Sequence, residues 1–428
     1  MEGKKQTEVI VVFDIGKTNK KRLVFNRNLE LMDTLSVDIP EQLDEDGFPT
    51  ENIQEVSNFV IKGFHEILGN DRYLVRGVNF SAYGASLLYL DKDGKLLTPL
   101  YNYLKPYPEK LSTQFYEKYG GVFNFSRTTA SPVLGSLNAG MQLYRLKYEQ
   151  PAIFSALKTV LHLPQYIAAL ISGQYVSELT SIGCHTNFWN FDRQQYHNWL
   201  YEEKLIDYLP EITNKTALSL TVEGRDMVVG TGLHDSSAAL IPHLKHQQNI
   251  FLLLSTGTWC ISLHPFNHTP LNEEELENDC LCYLQPNGKS VKAARFFGGK
   301  FHEEGLLSIA KHYNTSTQLI LEERYTDDEI RRLINTTEHQ NMLSCIDYKQ
   351  AYFTLMNQLV QQQKRSTDFV LKDSPVDEIV VDGGFANNQL FIKLLRIYYP
   401  NLLVTTSQLT QGSSIGAAML IKEEIWKD

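Results

Sequence analysis

The pattern of apolar and polar positions at the start of the chain predicts a β-hairpin. Apolar residues 9–13 are followed by a polar, basic turn at 14–21, and the apolar pattern resumes at 23–25. Strand, polar turn and strand in this order are typical of a hairpin. The same form returns in the second half, where apolar residues 250–254 lead into a polar turn at 255–258 and a further apolar segment. Two such hairpins predict a duplicated architecture.

The turn of the first hairpin carries residue types that suit phosphate and metal chemistry. Asp14 ends the buried strand, where its carboxylate could hold Mg²⁺ or a metal-bound water. Gly16 allows a phosphate to approach the backbone, and three side chains offer donors to it, namely Lys17, Thr18 and Asn19. A P-loop is excluded, because the position of its first glycine holds Val11 and a strand follows the turn instead of a helix. An ordinary surface hairpin remains the alternative.

The remaining pattern predicts an α/β chain. Strands are expected at 22–26, 31–38, 74–80, 86–90, 379–381 and 402–405. Helices are expected at 53–68, at 109–172 with an interruption near 124–134, and at 194–210, 346–371, 388–398 and 413–425. Within the long helical region, residues 165–171 form an amphipathic helix closed by Gly173. The glycine cluster at 230–232 separates the two halves.

Length and charge limit the function classes. A chain of 428 residues is too long for one typical core, so two domains are expected. The content of 43% hydrophobic and 21% charged residues is that of a globular protein. A net charge of −10 argues against a nucleic-acid partner, although it does not argue against ATP, whose charge is neutralised locally.

The termini and cysteines predict a cytoplasmic protein. Residues 1–8 are charged and polar without an apolar core, so no signal peptide is expected, and no apolar window has the length of a membrane span. The five cysteines are scattered and odd in number, as expected in a reducing compartment. The close pair Cys280 and Cys282 fits strand alternation better than a zinc site.

Five motifs in a fixed order resemble the FGGY family of carbohydrate kinases, and the resemblance spans nearly the whole chain. They are Phe13-Asp14-Ile15-Gly16-Lys17-Thr18-Asn19, Gly232-Leu233-His234-Asp235, Ser255-Thr256-Gly257-Thr258-Trp259, Val381-Asp382-Gly383-Gly384 and Gly412-Ser413-Ser414-Ile415-Gly416. The resemblance implies two ribonuclease-H-like domains of the actin/Hsp70/hexokinase type around a central cleft. Sugar would bind mainly to an N-terminal domain at 1–231 and ATP mainly to a C-terminal domain at 232–428. The expected activity is a phosphotransfer from ATP, with Mg²⁺, to a hydroxyl group of a small sugar.

The resemblance also assigns roles to individual residues. Asp235 is the expected general base and a contact of the sugar, and Asp14 is the expected residue for the metal. The nucleotide is expected at Gly16, Lys17, Thr18, Asn19, Gly257, Thr258, Gly383, Gly384, Asn387, Asn388 and Gly412. The sugar is expected at Tyr83, Gly84 and Ser86.

Structural alternatives stay open for several of these residues. Asp235 before two serines is also typical of a helix N-cap, and both roles are compatible. Lys17 at a turn tip is equally well explained as a solvated side chain. Asn387 and Asn388 either cap the next helix or touch adenine. Trp259 is expected in the core.

Among the branches of the family, the chain looks most like the rhamnulokinase and fuculokinase side. A ketose such as L-rhamnulose or L-fuculose is therefore favoured, with xylulose, ribulose or a polyol as alternatives and an inactive sugar-binding regulator as a rival. The chain departs from that branch at Tyr83-Gly84-Ala85-Ser86, where the branch carries Trp-Gly-Val-Asp, so a sugar-facing carboxylate is missing. Lys105 is the only charge shortly after Pro99. Whether Lys105 replaces the usual sugar-contacting charges stays open, as does the oligomeric state, a homodimer included.

Overall fold

The first half of the chain is built on a seven-stranded mixed sheet. A computed structural model describes residues 6–246, 249–337, 340–407 and 409–426. The strand Thr7–Ile15 lies near the centre, antiparallel to the next strand along the chain and parallel to Tyr73–Ala82. The strand order is Ala217–Val222, Arg225–Gly230, Tyr73–Ala82, Thr7–Ile15, Lys20–Asn26 and Leu31–Val37, with the short strand Leu233–His234 also paired to Tyr73–Ala82.

The second half repeats this design with a six-stranded sheet. Phe251–Thr256 pairs antiparallel with the following strand, as in the first hairpin, and parallel with Glu378–Gly383. The strand order is Cys280–Leu284, Ser290–Phe296, Cys260–His264, Phe251–Thr256, Glu378–Gly383 and Leu403–Thr406. Short strand pairs outside the two sheets are Gln42–Leu43 with Pro49–Thr50, Leu87–Leu90 with Thr159–His162, and Trp189–Asn190 with Gln195–Tyr196.

Helices cover both faces of each sheet. The α-helices are Ile53–Leu68, Glu109–Lys118, Val122–Thr129, Ala139–Glu149, Pro151–Ala156, Leu163–Ser172, Leu179–Ile182, Asn198–Glu202, Asp235–His246, Glu273–Glu277, Gly298–His312, Thr317–Glu322, Asp327–Thr337, Tyr348–Leu371, Gln389–Tyr398 and Gly412–Ile425. Short 3₁₀ helices are Gly135–Leu137, Ile206–Tyr208, Met342–Ser344 and Gly384–Asn387.

One helix joins the two sheets through its two faces. In Asp235–His246, Ala238 and Ile241 pack against the first sheet, whereas Leu240 packs against the second. The helix Gly412–Ile425 lies beside it on the first sheet, where Asn79 Nδ2 donates to the Ala417 carbonyl at 2.7 Å. The C-terminal helix thus belongs to the core of the first half, although it follows the second sheet in the sequence. The predicted division at residue 231 stays a prediction.

The secondary structure agrees with the sequence pattern in its main elements. The helix predicted at 53–68 has those bounds, and Leu163–Ser172 ends at Gly173 with φ of 67°. Cys280 and Cys282 lie in one strand, and all five cysteines are free and buried. The helix predicted at 194–210 is wrong in extent, because only Asn198–Glu202 is α-helical there.

Candidate active site

The first candidate residue, Asp14, lies where the two halves meet. It is near the end of strand Thr7–Ile15, and its Oδ2 accepts hydrogen bonds from Ser413 Oγ at 2.7 Å and Ser414 Oγ at 2.9 Å. Both serines belong to the first turn of the helix Gly412–Ile425. Burial raises the pKa of Asp14, and the negative charge of Asp235 raises it further. A positive ion would relieve this cost, which fits the predicted metal role.

The other residues of the first turn differ in whether they are open to a ligand. Gly16 N donates to the Asn19 carbonyl at 2.9 Å and closes the turn, while Thr18 and Asn19 are exposed and open to a ligand. Lys17 instead donates to Glu41 at 2.5 Å and lies 5.9 Å from the centre of the Tyr83 ring. The charge of Lys17 is therefore paired with Glu41, so Lys17 is neither a fully solvated side chain nor free to bind a phosphate.

A buried ion pair behind this turn was missed in the sequence. Lys20 Nζ lies 2.7 Å from Glu51 Oε1, and both side chains are almost fully buried. Glu51 also accepts a hydrogen bond from the Tyr83 hydroxyl at 3.1 Å. Tyr83, a predicted sugar contact, is thereby fixed, and its ring faces Tyr103 at 6.1 Å between centroids. No local pattern marks Glu51 or Tyr103, because their proximity arises only from the fold.

Asp235 begins the helix that joins the two sheets. Its Oδ1 accepts from the backbone N–H of Ser236 at 2.6 Å, and His234 Nε2 lies 3.2 Å from the same oxygen. Burial raises the pKa of Asp235 from 3.8 to about 6, and the hydrogen bonds from Ser236 oppose this rise. This bond comes from the residue directly after Asp235, whereas an N-cap side chain accepts from the second or third N–H of a helix, and the Asp235 side chain remains 32% exposed. A base that is half-buried and ionised at neutral pH suits proton abstraction.

Gly84 and Ser86, two of the predicted sugar contacts, have different surroundings. A Cβ added to Gly84 would lie 2.4 Å from Cys184 Sγ and 3.0 Å from His234 Cδ2, so any side chain would displace the residues beside the base. Ser86 is buried, and its carbonyl accepts from Leu163 N at 3.2 Å. The structure therefore places Gly84 against His234, the residue before Asp235, whereas Ser86 is buried.

The turn of the second hairpin is open to a ligand. Gly257, Thr258 and Trp259 are all exposed, and Gly257 N donates to the Trp259 carbonyl at 2.9 Å. The prediction that Trp259 lies in the core is wrong. Its ring is 40% exposed and stacks on Phe297 at 4.3 Å, because the turn lifts it off the sheet.

The glycine pair at 383–384 is held against the second hairpin. Gly383 has φ of +85°, and a Cβ there would lie 2.0 Å from the Thr256 carbonyl oxygen. Thr256 Oγ1 accepts from Phe385 N at 2.9 Å and donates to the Asp382 carbonyl at 2.5 Å. The positive φ and the nearby carbonyl both require glycine at 383, and the hydrogen bonds of Thr256 hold the two predicted nucleotide segments side by side.

A cavity of about 480 Å³ opens next to this glycine pair. Its lining includes Gly384, Asn387, Asn388, Tyr352, Arg324 and Lys393. Asn388 caps the following helix, since its Oδ1 accepts from Phe391 N at 3.0 Å, and its Nδ2 donates to the Tyr352 hydroxyl at 3.0 Å. The alternative of a cap is thus observed for Asn388, while Asn387 is exposed at the cavity. The volume is that of a small-ligand pocket.

Gly412 connects the nucleotide segments with Asp14. It begins the C-terminal helix, and a Cβ there would lie 3.6 Å from Ala239 Cβ and 3.7 Å from Asp382 Oδ2. Ser413, the next residue, reaches Asp14. Asp382 therefore lies at the N-terminal end of the helix that contacts Asp14, a position that the sequence did not predict.

Comparisons with known proteins identify the family. The N-terminal domain of the FGGY family of carbohydrate kinases matches residues 9–236, and the FGGY C-terminal domain matches residues 248–344. A rhamnulokinase from Bacteroides thetaiotaomicron is 24% identical over an alignment of 210 residues, and the match covers 44% of this chain and 40% of that protein. The chain thus matches less than half the length of this curated relative.

Solved structures share the fold over nearly the whole chain. A carbohydrate kinase from Novosphingobium aromaticivorans is similar with a TM-score of 0.81 and 22% identity, covering 97% of this chain and 92% of the other. A xylulose kinase from Lactobacillus acidophilus gives a TM-score of 0.78 at 14% identity, covering 98% and 90%. These similarities confirm the predicted fold of two ribonuclease-H-like domains. No helix of the described residues has the length and apolar character needed to cross a membrane.

Proposed function

The chain belongs to the FGGY family of carbohydrate kinases, and from this premise we propose that it transfers the γ-phosphate of ATP to a hydroxyl group of a small sugar. The main support is the placement of Asp14 and Asp235 at the junction of the halves, beside the N-terminal turns of two helices. Helix N-termini favour phosphate, and a half-buried carboxylate is the base that an alcohol acceptor needs.

The nucleotide is proposed to bind along the second half. Adenosine would enter the cavity beside Gly384 and Asn387, and the phosphates would extend toward the exposed turn of Gly257 and Thr258. Thr18 and Asn19 would contact the phosphates from the first half. Gly412 has no side chain, so the space between Asp382 and the helix Gly412–Ile425 stays open for them.

The residues present fit a magnesium ion held mainly by phosphates and water. The described residues contain no group of three or more His, Cys, Asp or Glu side chains that could enclose a metal, and Mg²⁺ commonly uses one or two carboxylates plus phosphate oxygens. Asp14, oriented by two serine hydroxyls, would contact the ion through its water shell. When bound, the ion supplies positive charge that neutralises the transferring phosphoryl group.

Asp235 is proposed as the general base. Its carboxylate would accept the proton of the attacking hydroxyl group, and a pKa of about 6 keeps it ionised at neutral pH while leaving it more basic than an ordinary aspartate. Gly84 and the fixed ring of Tyr83 would line the sugar on the other side, with Ser86 behind them.

For the sugar, we propose a ketose such as L-rhamnulose or L-fuculose. The partial similarity to a rhamnulokinase supports this, while xylulose kinases share the fold at lower identity. Lys105 is buried and paired with Asp44 and Asp46 at 2.5 and 2.6 Å, so it offers no free charge to a substrate. Xylulose, ribulose or a polyol remain the alternative substrates, and an inactive sugar-binding regulator is the rival function.

The test is ADP release from ATP and Mg²⁺ with a panel of ketoses and polyols. One acceptor should give turnover, and Asp235→Asn should reduce it by about 10²-fold or more while ATP still binds. Sugar binding without ADP release across the panel would favour the regulator. Near wild-type turnover in the folded variant would remove Asp235 from the mechanism.

A further inference from the structure

A row of buried polar side chains leads from a backbone carbonyl to Asp235. His185 Nδ1 lies 2.9 Å from the Leu137 carbonyl oxygen, and His185 Nε2 lies 3.3 Å from Cys184 Sγ. The same sulfur lies 3.1 Å from His234 Nε2, which is 3.2 Å from Asp235 Oδ1. All but Asp235 are buried, so protein groups must satisfy their hydrogen bonds.

The direction of the hydrogen bonds in this row follows from the Leu137 carbonyl at one end of it. The Leu137 carbonyl can only accept, so His185 carries its proton on Nδ1. Burial lowers the pKa of His185 to about 3, so this ring is neutral and its Nε2 is an acceptor. Cys184 has one S–H, which it must give to His185 Nε2. Cys184 can then act toward His234 only as an acceptor.

His234 completes the row with the opposite tautomer. Burial lowers its pKa to about 3 as well, so it carries one proton, and the sulfur leaves Nε2 as the protonated nitrogen. Two acceptors lie near this nitrogen, Cys184 Sγ at 3.1 Å and Asp235 Oδ1 at 3.2 Å, and they share its one proton. Ser237 Oγ donates its one proton to the Leu284 carbonyl at 3.0 Å, so its longer contact of 3.4 Å with His234 Nδ1 does not decide the tautomer. The negative charge of Asp235, whose Oδ1 lies 3.2 Å from Nε2, favours the proton on Nε2.

We propose that His234 is a positioning residue that donates Nε2–H to Asp235 Oδ1, and that Leu137, His185 and Cys184 set its tautomer. A donor at this place favours the carboxylate form and fixes one oxygen, which leaves the other for the acceptor hydroxyl. The hydrogen-bond row is independent of the kinase activity, but the role of orienting a base rests on the proposed function. The backbone at His185 is strained, since this residue has φ of +40° in the left-handed region.

Other charged and titratable groups face the row from the surrounding elements. Arg295 acts on Cys184, His185 and Tyr283, and its positive charge favours the neutral state of His185. The His234 ring stacks on Tyr283 at 5.3 Å, while His162 lies close enough for His234 to disfavour its protonation. On the open side, the charge of Asp235 acts on Asp14 and Tyr103.

The tautomers can be read directly in the full chain without substrate. Long-range ¹H–¹⁵N spectra of protein labelled at its 12 histidines, assigned with His185→Gln and His234→Gln, should show His185 protonated on Nδ1 and His234 on Nε2 at pH 7. A His234 ring protonated on Nδ1, or a charged ring at either position, would overturn the proposal. This readout is unaffected if no sugar on the panel is phosphorylated.

A pair of amide substitutions tests the role in catalysis. The glutamine amide nitrogen can replace Nε2, whereas the asparagine amide reaches only the position of Nδ1. His234→Gln should keep kcat/KM within about threefold of wild type, and His234→Asn should lose about tenfold or more and move the acid limb of the pH profile upward by about one unit. His264→Gln, which removes a buried histidine of the second sheet, is the control and should leave the profile unchanged. Equal losses in Gln and Asn would contradict a donating Nε2–H, and the tautomer spectra of the wild type decide if both variants fail to fold.

Discussion

Replacing Asp235 by asparagine should stabilise the protein at neutral pH while it reduces turnover. The carboxylate begins a helix between the two sheets, and burial raises its pKa from 3.8 to about 6. Between these two values the native state binds more protons than the unfolded chain, so the free energy of unfolding of the wild type falls as pH rises. Asparagine keeps an oxygen for the Ser236 N–H and carries no charge, so the variant does not lose this stability.

The size of the effect follows from the pKa difference and the exposure. A difference of about two pKa units corresponds to about 3 kcal/mol at about 1.4 kcal/mol per unit. The side chain is 32% exposed, so water screens its charge, and we expect about 1 to 2 kcal/mol above pH 7. A chain of 428 residues has an unfolding entropy of about 0.9 kcal/mol/K, so the melting temperature should rise by about 1–2 °C. At pH 4 the advantage should nearly vanish, because the native carboxyl is then protonated.

The assay is thermal unfolding from pH 4 to 8 for wild type, Asp235→Asn and the control Asp373→Asn. Asp373 is exposed with φ of 60°, where asparagine fits equally well, so the control should follow wild type at every pH. The reasoning is refuted if Asp235→Asn is no more stable than wild type at pH 8. An advantage of the same size at pH 4 would show that charge burial is not its cause.

Further predictions concern the metal, the glycine turn and domain closure. Asp14→Ala should weaken the Mg²⁺ dependence of turnover more than sugar binding, and an unchanged Mg²⁺ titration with normal turnover would contradict this. Gly383→Ala should lower stability by more than the about 1–2 kcal/mol of left-handed strain and weaken ATP binding, because its Cβ would meet the Thr256 carbonyl at 2.0 Å. Gly288→Ala is the control, because Gly288 has φ of +80° but its Cβ would meet only Leu179 Cδ1 at 3.4 Å. Thermal unfolding should show that this variant loses only the stability that the left-handed strain costs. Sugar plus a non-hydrolysable ATP analogue should reduce the radius of gyration in small-angle scattering, with a hinge near 230–232, because in-line transfer needs the reacting atoms within about 3–3.5 Å. An identical radius in both states would leave closure unsupported.

Local patterns in the sequence predicted the elements because their periods are local properties. Apolar spacing placed the helix Ile53–Leu68 with correct bounds, and Gly173 marked the end of Leu163–Ser172. The order of five short motifs was enough to predict the family, which the domain matches show. The roles given to the site residues stay predictions, although the structure brings Asp14, Gly84 and Asp235 to one junction.

Only the tertiary structure decided which distant groups touch. Ser413 reaches Asp14 across 399 residues, because the C-terminal helix packs on the first sheet. Glu51 pairs with Lys20 and fixes Tyr83, and Trp259 is exposed instead of buried. An apolar period of two residues in a strand or 3.6 residues in a helix shows which face of that element is apolar, but it does not show which other element packs against this face. The sequence alone therefore determined the elements and the family, while the packing of the two sheets on shared helices determined the composition of the site.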